Sequence, residues 1–218
     1  MVLPIAYFPP ISWFKALLKG NAVIEQHENY VKQTIRNRCQ IATANGVLRL
    51  SIPVVKAQKT TDVLIASHDN WQQKQWNAIA TAYGESAFFD YYADDLKPFF
   101  TADCQKNLFE HDVSIIQKLL ELLDIENYTL RFTDSFIGEN YTASLRAATV
   151  SSAFPHGSAA VPSAFPHGSA TVPEAFASVQ LHPYYQVFRS KTGFLPDLSI
   201  LDLLFNLGPE AACYLLKQ

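Results

Sequence analysis

The run HENYVKQTIRNR at residues 27–38 is the densest set of side chains in the chain that could do chemistry: His27, Glu28, Lys32, Gln33, Arg36, Asn37 and Arg38. His27 carries the one side chain whose ordinary titration lies near neutrality, so it reads as a general base or as a hydrogen-bonded histidine closing a strand. An arginine presents a planar fork of donors that fits phosphate or carboxylate. In an extended segment Arg36 and Arg38 share one face and Asn37 points to the other. They read either as an anion grip or as ion pairs with Glu25 or Glu28. Lys32 adds a point charge that could bind an anion.

Other candidates lie outside this run. Tyr7 ends an apolar strand just before Pro9 and Pro10, the place where open α/β sheets put ligands, and otherwise it is core. Asp69, in HDNW at 68–71, is either a helix cap or a catalytic carboxylate. His182, Tyr184 and Gln186 alternate along an extended stretch and either line one wall or pack at a corner around Pro183. The expected catalytic residues are therefore His27 and Asp69, and the expected substrate-binding residues are Tyr7, Lys32, Arg36, Asn37 and His182.

Signatures of the common reaction classes are missing: no GxGxxG, Walker A, GxSxG or HExxH stands in the sequence. Cys39, Cys104 and Cys213 are far apart, without CxxC spacing, and read as free thiols. No metal site is expected, and no cofactor is named.

The elements that must hold these residues follow from periodicity. Residues 2–7 read as a buried strand stopped by the diproline. Trp13, Phe14, Leu17 and Leu18 mark a short helix with Lys15 and Lys19 on its other side, capped near Gly20. Residues 22–26 read as a second strand, and 27–37 as a loop or short helix. A β-hairpin follows, 39–42 and 47–54 around Asn45-Gly46, with Leu48, Leu50, Ile52 and Val54 on its buried face. Asp69 or Asn70 opens a helix whose face carries Trp76, Ile79, Ala80 and Tyr83. The aromatic segment 86–100 breaks at Pro98, and 105–123 is the clearest helix. Residues 128–132 read as a strand, and helices close the chain at 199–205 and from Pro209 to 216. The fold class is α/β or α+β: a single domain, a mixed sheet with a β-hairpin, and packed helices.

Residues 139–180 differ in composition. SAFPHGSAAVP at 152–162 is repeated as SAFPHGSATVP at 163–173, a period of 11 residues. Two copies are too few for a solenoid. We read residues 1–138 and 181–218 as one globular domain and 139–180 as an inserted loop rich in Pro, Ser and Ala. His156 and His167, without a carboxylate beside them, make a poor metal site.

The composition is that of a globular chain, with 49% hydrophobic and 17% charged residues. A net charge of −3 gives no electrostatic case for nucleic acid. No apolar run reaches membrane-spanning length. The N-terminus lacks a basic and an apolar leader region, so the cytoplasm is the expected compartment.

The runs IAYFPPISWF at 5–14 and HENYVKQTIRNRCQI at 27–41, the ANG hairpin and SIPV resemble the WbqC-like family of bacterial proteins. HDNWQQKQWNAI, AYGESAFFDYY and LSILDLLFNLG are similar to its later blocks. The likeness spans most of the chain except roughly residues 139–180. The resemblance implies an association with gene clusters for O-antigen and other surface polysaccharides. It also implies either transfer of an acyl or aminoacyl group to a sugar nucleotide, or a scaffold or binding protein that assists such an enzyme. The expected partners are thus a small molecule such as a sugar nucleotide, or another protein. The polar positions that match the family are Tyr7, Arg36, Asn37, Asp69 and Trp71. One departure is Gln75, where many members carry a His.

Overall fold

The chain opens with a strand–helix–strand unit. β1 (Val2–Pro4) and β2 (Val23–Glu25) pair in parallel, with Leu3 opposite Ile24, and α1 (Ile11–Leu18) crosses between them. Ile24 extends the ladder by a parallel bridge to Phe132. The computed structural model describes residues 1–101, 104–125, 128–137 and 181–217; the tandem repeat and the inserted segment that holds it lie outside these.

α1 is buried on nearly every side, from Ile11 through Leu17. Trp13 donates its indole N–H to the Pro4 carbonyl at 2.9 Å, which ties the helix to the strand before it. Lys15, expected on the solvent side, is only 5% exposed, and its ammonium lies 5.2 Å from the centre of the Tyr214 ring. A cation over an aromatic face recovers part of what desolvation costs. Gly20 follows the helix at φ +94°, the left-handed conformation that a C-terminal cap requires.

β3 (Arg38–Thr43) and β4 (Gly46–Ser51) form the antiparallel hairpin, with Cys39 opposite Leu50. Its corner is shifted by one residue from the expected Asn45-Gly46. Thr43 faces Gly46 across the end, leaving Ala44 and Asn45 at the turn, and only Gly46 has positive φ. The Thr43 hydroxyl accepts from Asn45 N and donates to Gly46 O, closing the corner without a second left-handed residue. The tip projects into solvent, so Leu48 is exposed and burial on this strand begins at Leu50.

Pro53 interrupts the strand, and a second antiparallel pair forms between β5 (Val54–Val55) and β6 (Leu64–Ile65). The expected class is observed, a mixed α/β single domain. Its strands are divided among three two-stranded pairs within the described residues.

α2 (Trp71–Tyr83) buries Trp71, Gln75, Ile79, Ala82 and Tyr83, so Gln75 stands on the inner face and Trp76 is half-buried beside it. α3 (Phe89–Leu96) passes into a 3-10 turn at Lys97–Phe100, where Pro98 ends α-helical bonding. α4 (Leu108–Leu122) starts at Asn107, whose side chain accepts from Glu110 N at 3.1 Å. Residues 128–132 contribute one bridge at Phe132 rather than a full strand.

After a short turn of helix, α5 (Arg189–Thr192), the chain ends in α6 (Ile200–Leu207) and α7 (Glu210–Leu216). Ser199 caps α6 and donates its hydroxyl to the Phe8 carbonyl at 2.9 Å, while Ile200 N binds the Pro9 carbonyl at 2.8 Å. The last helices therefore dock on the diproline corner. Asp202 fixes them further by accepting from Tyr83 at 2.9 Å, from Tyr184 at 2.5 Å and from Gln186 at 3.0 Å.

Candidate functional site

Helix α4 carries two polar residues on its buried stripe. The stripe runs Leu108, His111, Asp112, Ile115, Ile116, Leu119 and Leu120, the spacing of an amphipathic helix turned inward. His111 is 1% exposed and Asp112 is 0% exposed.

The His111 ring stands in an aromatic cage. Tyr7 stacks on it at 6.2 Å between centroids, and Trp71 and Phe99 meet it edge-on at 6.3 and 5.9 Å. Burial lowers its pKa to about 4, so the imidazole is neutral at physiological pH. Burial pushes the Asp112 carboxyl well above the usual carboxylate range. Its charge would act on Tyr7, Tyr30 and Cys39, all of which are held protonated chiefly by their own burial. The Tyr30 hydroxyl is pushed up to about 12. The centre thus holds a neutral imidazole and protonated tyrosine and cysteine side chains, with the Arg38 guanidinium beside them.

These groups are also short of partners. Both His111 nitrogens, both Asp112 oxygens, the Tyr30 and Thr60 hydroxyls, Trp71 Nε1, Arg38 Nε and Asn37 Oδ1 are buried without a hydrogen bond among the described residues. The only further atom in that condition among the described residues is Asn206 Oδ1. Each such group costs about 1–3 kcal/mol, and native folds leave few of them, so their concentration here makes this the candidate site. Tyr30 and Arg38 are half-buried as residues, while the Tyr30 hydroxyl and Arg38 Nε are themselves buried.

Several segments bring the centre together. Asn107 Nδ2 donates to Thr61 O at 2.7 Å and Leu108 N to Val63 O at 2.9 Å, which sets the 60–63 turn against the start of α4. Tyr30 N donates to Gln58 O and Thr60 N to Glu28 O, joining the 28–30 segment to the same turn. Tyr7 N is held by Ile35 O at 2.8 Å, and the next residue, Phe8, adopts φ +38° ahead of Pro9. A positive φ on a bulky residue is strained, and it persists here because packing on both sides fixes it. The Tyr7 hydroxyl donates to Gln75 Oε1 at 2.7 Å, and Gln75 Nε2 donates to Ser51 O at 2.9 Å. Gln75 thus orients the tyrosine beneath His111.

The residues singled out from the sequence fall in different places. Tyr7 lines the centre. Arg36 is buried, and its fork is closed by Glu28: Nε donates to Oε1 at 2.7 Å and the terminal nitrogen to Oε2, with Thr34 taking a third bond. That is the ion-pair alternative of the sequence reading, and it leaves Arg38 as the guanidinium facing the centre. Asn37 is buried and donates to Ile52 O at 3.0 Å. His27 is half-buried, with Nε2 3.0 Å from Thr133 O and its backbone N–H on Glu25 Oε1. Lys32 is exposed. Asp69 is exposed beside His68 at 3.6 Å, and the helix N-cap position belongs to Asn70, which makes no side-chain capping bond. His182 is exposed while Tyr184 and Gln186 turn inward to Asp202, so these three do not form one wall. The sequence reading missed His111 and Asp112. Their signal was two polar residues at apolar-stripe positions of a strongly periodic helix.

Next to this centre, Arg38, Cys39, Gln40 and Arg49 line a small recess of about 20 Å³ against Pro10, Asp197 and Ser199. Burial and the neighbouring Arg49 charge lower the Arg38 pKa, so two guanidiniums share one wall.

The fold is a mixed α/β domain whose buried polar centre gathers a histidine, an aspartic acid and two tyrosines. The chain belongs to the WbqC-like protein family, whose family model matches residues 5–214. It is 29% identical over 200 residues to an uncharacterised protein, Rv1507c, of Mycobacterium tuberculosis, covering 88% of this chain and 86% of the relative. No solved structure matches it. No helix among the described residues is long and apolar enough to cross a membrane.

Proposed function

We propose that the protein is a group transferase of bacterial surface-polysaccharide synthesis, moving an acyl or aminoacyl group from an activated thioester to a sugar-nucleotide acceptor. The observation that carries this reading is the pair of buried groups without hydrogen-bond partners at the start of α4, the neutral His111 and Asp112. The WbqC-like family's association with polysaccharide gene clusters supports the substrate class. In the proposed reaction the acceptor's heteroatom bonds to the acyl carbon while its N–H or O–H donates a hydrogen bond to the neutral His111 imidazole. The C–S bond breaks, and the proton passes to the departing thiolate. Tyr30 and Trp71 hold hydrogen-bond donors that could polarise the acyl oxygen. Arg38, which Glu28 does not close, supplies positive charge for an acceptor phosphate.

The test is product formation from sugar nucleotides and acyl or aminoacyl thioesters, followed by mass spectrometry, with Asp112→Asn and Arg38→Gln beside the wild type. Expected is an acylated sugar nucleotide from the wild type only. A second reading, a non-catalytic binding protein of the same pathway, is favoured by the near-complete burial of His111 and Asp112. Ligand-induced thermal stabilisation without product, lost in Arg38→Gln, would establish that reading and remove the transferase. Neither product nor stabilisation would remove both.

A further inference from the structure

The outer face of α2 carries a second site, unconnected with His111 and Asp112. Beside the 3-10 turn at Lys97–Phe100 the surface opens into a groove of about 520 Å³, a size typical of small-molecule sites. Four carboxamides line one side: Asn70, Gln72, Gln73 and Asn77. Trp76 and Phe100 form the apolar part of its wall, and Lys97 is the single charged residue in it.

The side-chain chemistry selects the ligand. A carboxamide both donates and accepts, as a hydroxyl does, so amides match neighbouring hydroxyl groups without adding charge. A cation would call for carboxylates, and none lines the groove. A phosphate would call for a guanidinium fork, and Lys97 alone is not one. An aromatic wall suits the C–H face of a sugar ring, where apolar area is buried without desolvating hydroxyls.

The groove is also preorganised. Gln73 Nε2 donates to Asn77 Oδ1 at 2.7 Å, which fixes both side chains and leaves Gln73 Oε1 and Asn77 Nδ2 for a ligand. The Trp76 ring is braced by Phe89 at 6.0 Å and Phe100 at 5.6 Å. Asn70 holds the N-cap position at φ +49° yet spends no side-chain bond on the helix. Asn is a poor helix former, so Asn77 inside an exposed helical face has no propensity reason to be there.

We propose that this groove is a binding subsite for a neutral sugar, a pyranose held by its hydroxyls on the α2 amides and by its ring face on Trp76. The inference stands whether or not the buried centre transfers a group. The test is nitrogen-15 NMR of the full chain titrated with the methyl glycosides of glucose, galactose, N-acetylglucosamine and rhamnose, and separately with uridine monophosphate. The expected result is that at least one glycoside moves the Gln73 and Asn77 side-chain amides and the Trp76 indole signal. Gln73→Ala and Asn77→Ala, both at exposed positions, should keep the wild-type melting temperature and weaken that glycoside about two- to tenfold, the loss of one neutral hydrogen bond. No response to any glycoside overturns the proposal. So does a response to uridine monophosphate alone, or glycoside binding that both variants leave unchanged.

Discussion

If His111 is held neutral by its surroundings, it must make the protein acid-sensitive in a defined window. The imidazole pKa is lowered from 6.5 to about 4 in the fold. Between those values the unfolded chain binds a proton that the native state refuses. Stability from this group is therefore full above the unfolded value and is lost as pH falls through the folded one. Each unit of separation is about 1.4 kcal/mol, so the loss between pH 7.5 and pH 4 is about 3 kcal/mol. His111 is 1% exposed, and solvent screening does not reduce this figure. Asp112 has the opposite sign. Its raised pKa makes the native state less stable as pH rises from the ordinary carboxylate value through the folded one. The two slopes oppose each other in the wild type, so the measurement must be a difference. His111→Phe keeps an aromatic ring among Tyr7, Trp71 and Phe99 and removes the titration. Urea unfolding of both proteins from pH 7.5 to pH 4 gives the curve, since Asp112 is common to both. The variant should gain about 3 kcal/mol on the wild type across that range, on the order of 1 M or more in urea midpoint. Parallel pH profiles would refute the reasoning, for they would mean that His111 titrates as it does in the unfolded chain.

The remaining predictions concern the frame around the site. Arg36→Met should cost about 3–5 kcal/mol, because Glu28 is left as a buried unpaired carboxylate; Glu28→Leu combined with Arg36→Met should recover much of that loss in thermal unfolding. Asp202→Ala removes the acceptor shared by Tyr83, Tyr184 and Gln186 and should cost about 3 kcal/mol or more, read as a lower melting temperature. Deleting residues 152–173, the low-complexity repeat, should leave the melting temperature unchanged; a large fall would mean that the repeat contributes to the fold.

Local pattern carried much of the fold. The glycine after α1, the hairpin, α4 and the two last helices were all legible, because periodicity and capping act within a few residues, whereas the strand expected to run to the diproline ends at Pro4. Where the sequence reading and the structure differ, a distant contact made the difference. Lys15 belongs to the solvent face of α1 by spacing, but Tyr214 from the last helix lies over that face. The hairpin signal of Asn45-Gly46 is strong, yet Thr43 closes the corner one residue earlier.

The site was least legible, and the physical reason is plain. Residue types alone determined that the 27–38 run holds charge and that its arginines either grip an anion or pair with Glu25 or Glu28. Only the tertiary structure decided which, by setting Glu28 and Arg36 together at the same depth, closing that fork and leaving Arg38 toward the centre. His111 and Asp112 stood on the inward stripe of α4 all along, but a helix face is called buried only when other elements cover it. Those elements are Tyr7 after β1, Tyr30 in the 28–30 segment, Thr60 in a 3-10 turn and Trp71 at the start of α2, none adjacent to α4 in sequence. Burial by these segments is what strips the imidazole of its proton and keeps the carboxyl neutral, and no spacing along the chain encodes it.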